Sequence, residues 1–395
     1  MKLQTGNGAT LSRNLPVDIM AEELLSKIAH LLMAKAQVAS DPTIPMGKAG
    51  ISLFLFHYYQ YCKKEEYYNK AYALLDQVYE CLSDPATPVH KTLQPQLGWL
   101  FMHLQKHDLI DLNIDEVLDS TDAALCNICV HEEFKQLSDN YIVNIGLYLL
   151  ERYQHTENRL KKMRIEEALI SLADEINALY TCEIKKKIID IYQHEQTSAE
   201  LVLNKLIRTT CNTSLLLAKI AATGIYKQVI SDRLYEINET VIAPFLSHQQ
   251  ICKSLSPCYP DYSTLIYTLF TQTYIRPFVM NGTVYNYREL TKSGISGTVY
   301  SAEPTPYTGD LLLIFSGLRL LNSTAGHPLF TEHFQELSRK IHASFHKNAC
   351  GYLDGPVGIP DLGLKDGMAG AGIAMLASLK NELLITADLI LIITD

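Results

Sequence analysis

The chain has 395 residues and a formal net charge of −9, with 34 lysine and arginine residues against 43 aspartate and glutamate residues. This acidic balance argues against nucleic acid as a partner, because an extended nucleic-acid interface needs a clustered basic surface. Hydrophobic residues make up 47% and charged residues 19% of the chain, which is typical of a well-packed globular protein.

The first residues, Met1 to Gly8, contain no apolar signal-peptide core, and no later stretch offers about 18 uninterrupted apolar residues. We therefore expect no membrane insertion and a cytoplasmic location. The nine cysteines are odd in number and scattered, which is typical of reduced thiols and not of a disulfide framework.

Helical periodicity runs through nearly the whole chain, and no convincing strand pattern interrupts it. Apolar residues recur at helical spacing in three clear stripes, one near the N-terminus and two further along. These stripes are Leu24, Leu25, Ile28, Leu31 and Leu32; then Tyr72, Leu75, Val78, Tyr79 and Leu82; then Ile165, Ala168, Leu169, Leu172 and Ile176. The sequence predicts an all-α protein.

Seven unusually apolar helices are predicted, each starting at a glycine or a small polar residue. Their starts are Gly47, Gly98, Gly146, about Asn212, about Asp261, about Gly309 and Gly367. The starts lie roughly 47 to 66 residues apart, which gives each repeat room for one helical hairpin. A Gly-x-x-Gly step at Gly47 and again at Gly367 suits helix starts that lie against other backbones, because glycine has no side chain.

More charged, one-faced helices alternate with the apolar ones, at 63–82, 114–128, 159–179, 231–246 and 328–345. The alternation predicts two concentric layers, an α/α toroid of about seven helical hairpins whose last hairpin packs against the first. We assign residues 1–43 to an N-terminal outer helix and lead-in, and residues 44–395 to a single toroidal domain. Residues 281–310, rich in Tyr, Thr, Ser, Gly and Pro, are predicted to be a long loop or irregular insert.

Four segments, in this order along the chain, resemble the lanthionine synthetase C-like (LanC-like) family of bacterial peptide cyclases. They are Gly47 to Ile51, Leu97 to Trp99, Ile145 to Leu150 and Lys365 to Gly370, and the apolar run that ends the chain completes the likeness. The resemblance covers roughly residues 44 to 395. It implies a toroidal fold and a role in the maturation of lanthipeptide-type natural products.

The family's cyclases use zinc, held by two cysteines and a histidine, to present a peptide thiolate to a dehydrated Ser or Thr. Pro257-Cys258-Tyr259-Pro260-Asp261 is similar to the segment of the first zinc ligand, so the resemblance assigns Cys258 to that position. The stretch 304–311, where the family's Cys-His pair is expected, contains neither ligand, and 206–214 lacks the family's histidine. No intact zinc site is expected.

Asp139, seven residues before Gly146, is the candidate for the aspartate that handles protons in this family, although an Asp here also suits a helix N-cap. Cys126, Cys129 and His131 offer three metal ligands in six residues, but no second pair follows at a zinc-site spacing. Structural thiols are the favoured interpretation of this group.

Three functions remain open. The first is a LanC-like protein that has lost its zinc and binds a precursor peptide or a peptide-modifying enzyme. The second is an active thioether cyclase with zinc in a rebuilt site that uses Cys258, Cys211 or Cys350. The third is a toroidal glycosidase with two carboxylates across a cleft; it is ranked last because no acid pair stands at the helix starts and the chain has one Trp.

Overall fold

The computed structural model describes residues 15–82, 89–131, 138–194, 200–252, 262–279, 310–326, 328, 330–339, 362–365, 367–379 and 386–393. Helices dominate these residues, and the described ranges contain no strand, which confirms the all-α prediction. The first ten helices are α1 (Leu15–Lys35), α2 (Lys48–Cys62), α3 (Glu65–Leu82), α4 (Val89–Lys106), α5 (Ile114–Val117), α6 (Asp119–Val130), α7 (Asp139–His155), α8 (Arg159–Leu179), α9 (Lys185–His194) and α10 (Glu200–Ala222).

The remaining helices are α11 (Lys227–Ile237), α12 (Ala243–Cys252), α13 (Tyr262–Ile275), α14 (Asp310–Ala325), α15 (residues 330–339), α16 (Met368–Leu379) and α17 (Ala387–Ile393). Single π-helical turns join α8 to α9 and α11 to α12, so each of these pairs reads as one long helix. No helix within the described ranges is long and apolar enough to cross a membrane.

The predicted stripes are confirmed on two helices and partly wrong on a third. All five stripe residues of α1 and all five of α8 are buried. On α3, Leu75 and Val78 are buried, but Tyr72 and Tyr79 are 49% and 48% exposed. The buried face of α3 instead includes Tyr67 and Leu74. The side of α3 that faces the core therefore does not include Tyr72 and Tyr79.

Two predicted helix starts, Gly98 and Gly146, are wrong, because both glycines lie inside their helices. A Cβ at Gly98 would collide with the ring of Tyr148, and a Cβ at Gly146 would meet Leu216. These glycines permit close approach between neighbouring helices and do not mark helix starts. The start expected near residue 212 is likewise inside α10, whereas the start at Gly47, the N-cap of α2, is confirmed.

The apolar helices pack side by side. Each of α2, α4, α7, α10, α13, α14 and α16 contacts the next in this order, and α16 contacts α2. Contacts that advance along both partners show that α14, α16, α2 and α4 run parallel, as do α7, α10 and α13. The pairs that fix these directions are Leu312–Gly370, Arg319–Ala377, Pro45–Leu364, Phe54–Gly372, Ile44–Gln96, His57–His103, Asp139–Thr209, Gly146–Leu216, Arg208–Thr264 and Asn212–Tyr267.

The lead-ins to α2 and α16 are joined by their backbones. The amides of Leu364 and Lys365 both donate to the Pro45 carbonyl, each at 2.8 Å. A Cβ at Gly363 would meet the backbone of Pro45 and Met46, so a side chain at this position would separate the two segments. The segments before α2 and before α16 are therefore bonded directly to each other.

The more polar helices cover the apolar ones. α3 packs on α2, α8 on α7 and α6, α11 on α10, and α1 on α16 and α2. Buried charges link α7 to α5 and α6: the Arg152 guanidinium, 1% exposed, donates to Asp122 at 2.6 and 2.8 Å and to Asp115 at 2.7 Å. The Tyr148 hydroxyl donates to the same Asp122 carboxylate at 2.5 Å.

The C-terminal helix α17 contacts both α7 and α14. Its side chains Leu389, Ile390, Leu391 and Ile392 are buried. Asp388, at its start, forms an ion pair with Lys219 in the last turn of α10, with the charged atoms 2.7 Å apart. The apolar run that ends the chain is therefore part of the core.

Candidate functional site

Asp139 is the first residue of α7 and lies half-buried. It is not the N-cap: that role belongs to Ser138, whose hydroxyl accepts from the amide of Tyr141 at 3.4 Å. The Asp139 carboxylate instead accepts a hydrogen bond from the Thr209 hydroxyl of α10 at 3.3 Å. Its side chain is thus directed toward a neighbouring apolar helix.

Arg208, the residue before Thr209, continues the polar contacts toward α13. Its Nε donates to the Thr264 hydroxyl at 2.8 Å, and its Nη2 donates to the Ser263 hydroxyl. Ser263 and Thr264 are fully buried, whereas the Arg208 side chain is half-buried. We call Asp139, Arg208, Thr209, Ser263 and Thr264 the α7–α10–α13 cluster. It places one carboxylate, one guanidinium and three hydroxyls near the start of α7 and of α13.

A second polar layer lies one turn further along α10. The Tyr267 hydroxyl donates to Asn212 Oδ1, and both side chains are buried. Cys211 Sγ lies 3.9 Å from the Thr268 hydroxyl and is completely buried. Burial raises the pKa of the Cys211 thiol to about 11, so this sulfur stays protonated at neutral pH. A protonated thiol is a poor nucleophile.

Some buried oxygens on the apolar helices have no hydrogen-bond partner among the described residues. They include Asn144 Oδ1 of α7, Ser214 Oγ of α10 and Ser316 Oγ of α14, which lie on three of the side-by-side helices. Buried polar atoms are normally paired with protein or water, so these oxygens offer hydrogen-bonding capacity for water or ligand atoms.

Cys258 lies outside the described residues, as do Cys350 and the predicted 281–310 insert apart from Asp310. Cys126 and Cys129 are buried in α6. Burial raises the pKa of Cys126 to about 11 and that of Cys129 further, so both fit a structural role. Within the described ranges, no three or more His, Cys, Asp or Glu side chains are arranged to hold a metal ion.

The sequence singled out Asp139 as a candidate but not the residues around it. Arg208 lies in the stretch where the family's histidine was sought, and only helix packing brings it to Ser263, 55 residues away. The sequence signal for the other residues is the pair Ser263 and Thr264, two hydroxyl residues at the start of the otherwise apolar helix α13. Comparison of the chain with protein-family models, curated proteins and solved structures finds no match.

Proposed function

We propose that the chain is a divergent LanC-like protein, folded as an α/α toroid, that binds a precursor peptide or a peptide-modifying enzyme in lanthipeptide-type maturation. The observation that carries the proposal is the order of helix packing. Seven apolar helices contact one another in chain order, and the last contacts the first. This order, together with the one-faced helices that cover α2, α7 and α10, supports a closed inner layer within an outer layer.

The α7–α10–α13 cluster is the proposed binding end. Its guanidinium is a positively charged donor, its carboxylate is a negatively charged acceptor, and its hydroxyls can donate or accept. A peptide presents complementary groups on its backbone and side chains. Arg208 is held between two hydroxyls of α13, so its planar group is oriented before a ligand arrives. An oriented guanidinium loses less conformational entropy on binding than a mobile one.

Binding without cyclisation is favoured because the residues that should activate a thiol are missing. The sequence lacks the Cys-His pair and the family's histidine at the expected stretches. Cys258 alone does not make a catalytic zinc site, which needs three protein ligands. The alternative is an active cyclase whose zinc is held by Cys258 and ligands from other segments.

Zinc content separates the two functions. The purified full chain and its Cys258→Ala variant are assayed for bound zinc, and both are incubated with a synthetic peptide that carries one dehydroalanine and one cysteine. Cyclisation consumes the thiol, so alkylation by N-ethylmaleimide counts the uncyclised peptide. We expect a zinc content that Cys258→Ala leaves unchanged, and full alkylation of the peptide by N-ethylmaleimide. Stoichiometric zinc that is lost in Cys258→Ala, with protection from alkylation, would establish the cyclase instead.

Binding is measured by fluorescence anisotropy with a labelled pool of such peptides. Arg208→Ala should weaken binding by about 10- to 100-fold, the usual cost of a lost hydrogen bond to a charged group. Arg159→Ala, a change at an exposed arginine at the start of α8, is the matched control and should leave affinity unchanged. If the folded chain binds no member of the pool, or if both variants bind like the parent chain, the peptide-binding proposal is wrong.

A further inference from the structure

Three histidines gather where α2 and α4 end. His57 lies in the last two turns of α2, His103 in the last turn of α4, and His107 directly after α4. His57 and His103 are 2% and 9% exposed, and His107 is half-buried. The two buried rings point at each other, with Nε2 of His57 3.1 Å from Nε2 of His103. These residues are separate from the α7–α10–α13 cluster.

Gln60 determines which nitrogen of His57 carries its proton. The Gln60 amide nitrogen donates to the His107 carbonyl at 2.9 Å, so the oxygen of the same amide is the atom that faces His57 Nδ1 at 3.3 Å. That oxygen only accepts, so Nδ1 is the protonated nitrogen and Nε2 carries the lone pair. A histidine that donates from one ring nitrogen to a fixed acceptor and presents the other is the usual form of a metal ligand.

The distances among the three rings suit a common cation. The ring centroids of His57 and His103 are 5.3 Å apart, those of His57 and His107 5.6 Å, and those of His103 and His107 4.6 Å. Imidazoles bound to one tetrahedral ion with metal–nitrogen bonds of about 2.1 Å have centroids about 5 Å apart and nitrogens about 3.4 Å apart. The observed spacings lie close to these values.

We propose that His57, His103 and His107 bind a late first-row divalent transition-metal ion such as Zn²⁺, which joins the C-terminal ends of α2 and α4. His57 and His103 hold their Nε2 atoms 3.1 Å apart in a direct hydrogen bond, so both rings and the His107 side chain must rotate to aim three nitrogens at one ion. That rotation is required because no three such ligands in the described ranges already surround one point. Water fills the fourth position, and imidazole is a preferred ligand for ions of this class.

Binding through Nε2 requires His103 to hold its proton on Nδ1, whereas the present hydrogen bond to His57 places it on Nε2. The change is a shift between two neutral tautomers, so the His103 ring itself stays uncharged.

Trp99 makes the site directly observable. It is the only tryptophan of the chain, and its ring stacks on His103 with centroids 4.9 Å apart. A paramagnetic ion such as Co²⁺ bound to His103 should quench Trp99 fluorescence, whereas an ion held elsewhere on the chain should not. The full chain, without a histidine tag and stripped with EDTA, is titrated with Co²⁺, and Zn²⁺ is then added as a competitor.

We expect saturable quenching with one ion per chain, reversed by Zn²⁺. His107→Ala should weaken Co²⁺ binding at least tenfold, and Gln60→Met should weaken it by about 10- to 100-fold, because outer groups orient the ligands. Both positions are half-buried, so the test does not depend on variants of the fully buried His57. His155→Ala, at an exposed histidine, is the control. Absence of saturable quenching, or equal affinity in His107→Ala and His155→Ala, would leave only a hydrogen-bonded histidine pair.

Discussion

Removing the Asp122 carboxylate should lower the free energy of unfolding much more than removing the Asp115 carboxylate, although both carboxylates contact the Arg152 guanidinium. Arg152 is 1% exposed, and its two partners differ sharply: the Asp122 side chain is 8% exposed and the Asp115 side chain 47%. Asp122 also accepts from Tyr148. Burial beside Asp122 raises the pKa of Tyr148, so the phenol remains a donor.

The expected magnitudes follow from this difference in burial. Asp122→Ala leaves the buried guanidinium with only the half-exposed Asp115 carboxylate and leaves the buried phenol without its acceptor; the loss of one member of a buried pair costs about 3–5 kcal/mol. Asp115→Ala removes a half-exposed partner that water can replace, which costs about 0–1 kcal/mol. The ratio of the two losses of stability is the quantity to be tested, since both variants replace an aspartate by alanine.

Urea denaturation followed by circular dichroism measures both free energies of unfolding. A double variant, Arg152→Met with Asp122→Leu, removes both buried charges and should recover most of the stability lost in Asp122→Ala. Equal destabilisation by Asp115→Ala and Asp122→Ala would refute the reasoning, because it would show that burial does not decide the strength of these contacts.

Three further outcomes follow from other contacts. Gly370→Ala should cost about 1–3 kcal/mol in urea denaturation, because the added Cβ would collide with the Leu364 carbonyl oxygen. Burial lowers the pKa of His103 below the ordinary value of 6.5, so below pH 6.5 the unfolded chain binds a proton that the folded chain excludes. The stability of the chain should therefore be constant above pH 6.5 and fall below it. Melting temperatures measured from pH 5 to 8 test this. Burial lowers the pKa of Lys219, but the Asp388 carboxylate, together with other nearby groups, raises it overall, so the ion pair stabilises the folded chain. Lys219→Met removes this pair and should speed amide hydrogen exchange in α17.

Each of these outcomes has its own check. His103→Gln should remove part of the acid slope; an unchanged slope would assign the effect to other groups. The stabilisation by Lys219 holds below the unfolded pKa of 10.5 and is lost as pH rises through the higher folded pKa. Exchange in α17 that is identical in Lys219→Met and the parent chain would show that apolar packing alone holds this helix. Full stability of Gly370→Ala would contradict the close approach at the start of α16.

The stripes on α1 and α8 could be predicted because each of these helices buries one face, and burial of one face produces a 3.6-residue period. The stripe on α3 was partly wrong for a related reason. Its tyrosines follow helical spacing as well as its aliphatic residues do, and periodicity alone does not say which of two adjacent stripes faces the core. Tyr72 and Tyr79 lie about half exposed.

The two sites required contacts that spacing along the chain does not reveal. His103 and His107 stand four residues apart at the end of a predicted helix, a spacing visible in the sequence, but His57 reaches them only because α2 packs on α4. Arg208 likewise meets Ser263 through the packing of α10 on α13. Glycines such as Gly98 misled the prediction of helix starts, since glycine serves equally for a helix start and for close packing between helices.

The position of α17 bears on where a ligand would enter the proposed toroid. This short helix contacts α7 and α14, and its Asp388 pairs with Lys219 at the end of α10. In a closed layer where α10 and α13 separate α7 from α14, a segment that reaches both has to cross the opening of the ring. Because Lys219 is in the last turn of α10, α17 would lie at that end of the proposed toroid. A ligand would then enter from the opposite end, where Asp139 and Arg208 lie.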